Sequence, residues 1–245
     1  MSKLPFYLLI FSLTANLYAD QTTIENKWIQ PPDMTIIGRD VYDVFPVFLA
    51  DDWLCENGLP ITDIHWWGSY IGFDQNSATP VNQPLHPDIF LLSQHSDVPV
   101  GDPTNLYGYS YPGLVLNFNS VNKGQYSVNY YASIDKGGGV YEHVYQFNYI
   151  LPQAWTQEQG KIYWLDMSAI YFGTGSQVLF PYGWHTSDTN NLDHFVTNLG
   201  APAPGWIIPT GDGYDLAFEL TVPEPSIYFL FLFGCVMWFY KRIKN

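Results

Sequence analysis

The stretch "ITDIHWWGSYIGF" (residues 61–73) decides the fold class. In an extended chain successive side chains point to opposite faces, so Asp63, His65 and Trp67 fall on one side and Ile64 and Trp66 on the other. Aromatic and β-branched residues alternating in this way suit a pleated surface and predict a strand.

The same period recurs in both directions. "DIFLLSQHS" (88–96), "PGLVLNFNS" (112–120), "QYSVNYYASI" (125–134), "EHVYQFNYIL" (142–151), "KIYWLDMSAIYF" (161–172), "QVLFPYGWHT" (177–186) and "YDLAFELTV" (214–222) all read as strands. Between them lie turn-forming segments such as "DQNSATPVNQP", "SDVPVGDP", "DKGGG", "GTGS", "TSDTNN" and "APAPGW". No linker or internal repeat divides the run. The expectation is an all-β chain with one β-sandwich domain over residues 20–221, the jelly roll being one form of it.

Composition agrees. Aromatic residues make up 18% of the 245 positions and charged residues only 13%, while 20 Gly and 18 Pro interrupt every run long enough for a helix. The formal net charge is -14, and four of the few basic residues (Lys3, Lys241, Arg242, Lys244) lie at the two ends. The middle therefore repels phosphate backbones, which argues against nucleic acid as a partner, and it attracts cations. Cys55 and Cys235 lie in unlike surroundings and cannot form a disulfide framework.

The two ends read as addresses. "MSKLPFYLLIFSLTANLYAD" joins Lys3 to a short apolar run and a more polar stretch, the pattern of a signal peptide over residues 1–19 cut between Ala19 and Asp20. At the other end Ile227 to Tyr240 carries no charge and is followed by Lys241, Arg242 and Lys244, so a transmembrane segment (227–240) with a basic stop (241–245) is expected to hold the domain outside the cytoplasm.

Pro223, Glu224 and Pro225, followed by that apolar segment and the basic end, resemble the PEP-CTERM sorting signal. The resemblance covers residues 222–245. It implies an exosortase-type protease as a partner, an inner-membrane stage, and a final place in the envelope, at the surface or in an exopolysaccharide. "KWIQPPDM", "LADDWLCENGLPITDIHWWGSY", "HVYQFNYILP" and "DLAFEL" are similar to an uncharacterised domain that recurs ahead of such tails, and this likeness implies no activity.

Several constellations could carry chemistry. Asp63 and His65 at i, i+2 can share a metal or orient an imidazole, or form a structural hydrogen bond beside a packed Trp. Asp51, Asp52 and Glu56 in "LADDWLCENG" could hold Ca²⁺ or supply a carboxyl pair for glycoside hydrolysis, although the simpler expectation is a solvated loop or turn. Asp188, Asn190 and Asp193 in "DTNNLD" lack the Gly and closing Glu of an EF-hand loop. Tyr107, Tyr109 and Tyr111 would share one face of a strand, to stack on sugars or to pack in a core. Trp66 and Trp67 point oppositely, so one is expected in the core and the other is available as a platform. No G-x-S-x-G or H-E-x-x-H occurs. The expectation is a non-enzymatic glycan-binding or matrix module, with a secreted carbohydrate-active hydrolase and a purely structural surface module as alternatives.

Overall fold

Antiparallel pairing accounts for every named strand in the computed structural model, which describes residues 26–173, 178–188, 194–199, 205–209 and 213–222. The signal peptide and sorting tail read from the sequence lie outside the described residues. In chain order the strands are β1 (Asn26–Gln30), β2 (Asp40–Tyr42), β3 (Phe48–Leu54), β4 (Ile61–Tyr70), β5 (Ile89–Val98), β6 (Tyr111–Asn122) and β7 (Ser127–Gly137). They continue as β8 (Val140–Trp155), β9 (Ile162–Ile170), β10 (Tyr182–His185), β11 (Val196–Asn198), β12 (Trp206–Ile207) and β13 (Phe218–Thr221). Among the described residues there is no helix.

The first sheet is built on β4. On one side β4 pairs with β8, which pairs with β7; on the other it is flanked by β13 opposite residues 63–66 and by β10 opposite residues 68–70. β1 and β2 complete that side. The second sheet runs β12-β11-β3-β9-β5-β6. Two antiparallel sheets around a shared core make a β-sandwich.

Alternation explains which residues meet. Phe90, from β5 in the second sheet, lies among rings of the first: Trp66 at 5.1 Å, Tyr182 at 5.0 Å and Phe147 at 5.4 Å between centroids. Trp66 also stacks on Phe147 at 5.6 Å. Offset and edge-to-face contacts of this kind add about 0.5–1.5 kcal/mol per pair beyond the area they bury. A smaller apolar cluster lies on the outer side of the first sheet, where Trp67, Ile134, Val144 and Ala217 are covered by Met34. A third lies on the outer side of the second sheet, where Ala50, Trp164 and Val196 pack with Tyr109, Trp206 and Ile208.

Three expectations need correction. "LADDWLCENG" is not a solvated loop: Asp51 and Asp52 are buried in β3, whose inward residues Leu49 and Trp53 carry the alternation that the two acids mask. Trp67 is not a platform, because both Trp66 (0% exposed) and Trp67 (3%) are buried, the second under its own satellite layer. Finally, Tyr107 and Tyr109 do not sit on a strand; they belong to the loop that leads into β6, and only Tyr111 begins that strand.

Candidate functional site

The outer face of the second sheet gathers chemistry from distant parts of the chain. β5 and β9 pair Ser93 with Asp166 and His95 with Trp164. Since Phe90, Leu92, Leu165 and Met167 fill the core, the alternate residues Ser93, His95, Trp164 and Asp166 face outward. All four are nevertheless buried, because the loop before β6 and the short strand β12 lie over them.

His95 is held from both ring nitrogens. Nδ1 donates to the Gly113 carbonyl at 3.0 Å, and Nε2 lies 3.2 Å from Asp166 Oδ2 and 3.1 Å from Ser93 Oγ. The Ser93 hydroxyl donates to the other Asp166 oxygen. Burial pulls the His95 pKa down, but the Asp166 carboxylate and the Gly113 carbonyl outweigh it and hold the pKa above the ordinary histidine value. Gly113 is required here: a Cβ would come within 2.7 Å of Ser96 Oγ and 2.8 Å of Val98 Cγ2, so a larger residue would lift its carbonyl away from His95.

A nucleophile relay needs serine and carboxylate on opposite ring nitrogens, so that the base takes the serine proton while the acid holds the far side of the ring. Here both lie on Nε2, and the serine proton is given to Asp166. The group is an ion pair with a hydroxyl brace.

Above it lies an aromatic surface. Tyr107 and Tyr109 stack at 5.3 Å, Tyr111 meets Tyr107 edge-on at 5.5 Å, and Trp206 meets His95 edge-on at 6.1 Å. All four rings belong to half-buried residues. Asn105 shapes the loop: its Nδ2 donates to the carbonyls of Val98, Pro99 and Tyr109 at 2.9–3.0 Å, and its Oδ1 accepts from the Tyr107 amide at 2.8 Å. The Tyr109 hydroxyl ties the loop to β12 through the Trp206 carbonyl at 3.1 Å. Asp97, Leu116 and Ile162 on β5, β6 and β9, with Pro99, Glu158 and Lys161 from adjoining segments, line a groove of about 390 Å³.

Residues 26–221 match the model of a family described as "Domain of unknown function (DUF7901)". The chain belongs to that family. No curated protein gives a match. The DUF7901 match covers all thirteen strands, so both outer faces of the sandwich lie within it.

The other sequence candidates are scattered. Asp51 faces the core between the sheets, and its Oδ2 accepts the Leu216 amide at 2.6 Å. Asp52 faces the opposite way on the same strand, beside Trp164. Asp63 and His65 lie on β4 in the first sheet, where Asp63 accepts from the Thr221 hydroxyl at 3.2 Å and His65 Nδ1 bonds Asn148 Oδ1 at 2.7 Å. The four do not share a cation, since two strands in different sheets carry them. Asn190 and Asp193, like Pro223, Glu224, Pro225 and the basic end, lie outside the described residues.

Sequence reasoning missed the group of three that does converge. Asp40 on β2, Glu142 on β8 and His185 on β10 bring one ligand atom each to within 4.8 Å of one another on the outer side of the first sheet. His185 Nδ1 lies 2.8 Å from Asp40 Oδ1, and Nε2 donates to the Asp33 carbonyl at 2.9 Å. Lys136 pairs with Glu142 Oε2 and lies 3.4 Å from Asp74. Burial, and then the neighbouring Asp40 carboxylate, push the Glu142 pKa up to about 7, against the pull of Lys136. The three ligands are far apart in sequence and none sits in a motif, so no local signal could have found them.

Proposed function

We propose that this protein is an exported, envelope- or exopolysaccharide-associated module that binds glycan on the outer face of its second sheet and does not cleave it. The carrying observation is the half-buried aromatic surface of Tyr107, Tyr109, Tyr111 and Trp206 on a rigid β-sandwich face. Flat apolar rings with hydroxyls at their edges suit the alternating apolar and polar faces of a sugar. The arrangement of Ser93, His95 and Asp166 supports the absence of catalysis. Asp51 supports it too, being enclosed between the sheets where no polymer reaches.

The address rests on residues 1–19 and 222–245: export with cleavage at Ala19–Asp20, transient anchoring in the inner membrane by residues 227–240, and recognition of Pro223-Glu224-Pro225 by an exosortase-type protease. Intact-mass analysis from the native host is expected to give a chain that starts near Asp20 and has lost Lys241 to Asn245. An uncut tail removes the processing part of the proposal.

Retention on immobilised polysaccharide tests the glycan part. Tyr107→Ala and Trp206→Ala are expected to lower retention without unfolding the domain. Reducing sugar released by the protein and abolished by Asp52→Asn would replace this reading with the hydrolase. One observation favours a second reading, a structural module that assembles with itself or another surface protein: β6 is an edge strand bearing the exposed side chains Leu114 (77% exposed), Val115, Leu116 and Phe118. Sedimentation showing concentration-dependent association, together with no retention on any polysaccharide, would select it.

A further inference from the structure

We propose that Asp40, Glu142 and His185 form a binding site for one divalent metal ion of the zinc class on the outer side of the first sheet. Three strands bring the donors together, and their ligand atoms lie within 4.8 Å of one another. Ligands held at about 2.0–2.2 Å from a common ion lie up to about 4 Å apart, so a small closure of side chains completes the sphere. The imidazole is already oriented for it. Nε2 donates to the Asp33 carbonyl, which turns Nδ1 toward the two carboxylates, and such a bond on the far nitrogen is the usual support of a ligating histidine.

The turn that supplies this carbonyl is wrapped closely over the ring. Thr35 N donates to Asp33 Oδ1 and Gly38 N to the Thr35 carbonyl, and a Cβ at Gly38 would lie 2.0 Å from the Asp33 oxygen and 3.0 Å from His185 Nε2. Only glycine permits that approach.

An independent observation points to a cation. Glu142 is 5% exposed, its Oε1 is buried with no N–H or O–H donor among the described residues, and its carboxyl faces that of Asp40, so the two acids must share a proton or a cation. A buried acceptor without a donor is costly, and a metal ion satisfies it directly. Lys136 takes the other oxygen from a half-exposed position. Asp74 stands 3.4 Å from the same amine and can receive it when an ion arrives. One imidazole with two carboxylates suits zinc and its neighbours, whereas Ca²⁺ takes six to eight oxygens and no nitrogen.

The test uses the full chain stripped with chelator, titrated with ZnCl₂ and, at matched ionic strength, with CaCl₂ and NaCl. Calorimetry, melting temperature and metal content are read together. The expected result is one Zn²⁺ per chain with a rise in melting temperature that CaCl₂ and NaCl do not produce. Glu142→Gln is expected to weaken binding about tenfold or more, on the scale of lost metal-site groups. Lys136→Ala, shown to be folded by its melting temperature before metal is added, is expected to tighten binding several-fold by removing the competing charge. Absence of binding overturns the proposal, as does Zn²⁺ binding that neither variant alters. Binding by Lys136→Ala alone also overturns it, because Lys136 is then the resident cation of the natural protein.

Discussion

Asp51 Oδ2 accepts the Leu216 backbone amide at 2.6 Å, across the interior between β3 and the segment that enters β13. The bond links the two sheets through a carboxylate whose residue is fully enclosed. The other oxygen, Oδ1, accepts the Asp52 amide at 3.0 Å, so the charge lies among backbone donors rather than solvent. Such a group belongs to the architecture, since a buried carboxylate is tolerated only where donors surround it.

Asp51→Ala is therefore expected to lower stability by about 2–3 kcal/mol, the cost of leaving a buried donor unmade together with a lost charge-assisted bond. Urea unfolding of the purified chain checks it. A change within about 0.5 kcal/mol, the range of an ordinary surface substitution, would contradict the structural role.

Trp66→Ala and Trp67→Ala are each expected to cost about 3–5 kcal/mol, as buried Trp truncations do. Trp66 leaves a void among Phe90 and Phe147, and Trp67 leaves one in the satellite cluster beside Tyr131. The folded fraction of both variants should keep its retention on polysaccharide. Loss of retention at full stability for either variant would restore that Trp as a platform.

The His95–Asp166 pair should make stability depend on pH in a definite direction. The folded-state pKa of His95 lies above its unfolded value, so the folded state binds the proton more tightly. The contribution is fully present below the unfolded histidine pKa of about 6.5 and is lost as pH rises through the folded value. His86 and His143 act oppositely, because burial lowers their pKa values, with Lys123 adding to the effect at His86. The difference between wild type and His95→Asn isolates the term: it should be largest at acid pH and shrink toward alkaline pH. A difference that is flat or grows with pH would contradict the ion pair.

Asn105→Ala is expected to loosen the tyrosine loop and lower glycan retention about as much as Tyr107→Ala does. The stability cost should stay near 1–2 kcal/mol, since the residue is only half buried and its bonds are neutral. Equal retention by wild type and Asn105→Ala would mean that the loop does not present the binding surface.

Much of the sheet framework is legible in the sequence. Residues 61–73, 88–96, 112–120, 125–134, 142–151 and 161–172 each overlap a strand, because one face of each contributes to the core and so carries apolar residues at every second position. β3 escaped notice for a physical reason: Asp51 and Asp52 occupy buried positions at which alternation expects apolar side chains, and backbone donors from Leu216 and Asp52 help make room for the first. β11 and β12, at three and two residues, are too short to carry a period.

Local order along the chain determined that this protein is all-β, acidic and rich in aromatic residues, because alternation and composition act over a few neighbouring positions. It also placed Tyr107, Tyr109 and Tyr111 within reach of one another, although a loop and not a strand groups them. Only the tertiary structure decided that Trp67 is covered, that Ser93 and Asp166 share one nitrogen of His95, and that Asp40, Glu142 and His185 meet. Those contacts join strands that the chain reaches after long excursions. Side-chain period tells which face a residue takes, while strand order, which depends on how whole sheets bury their apolar sides, tells what it finds there.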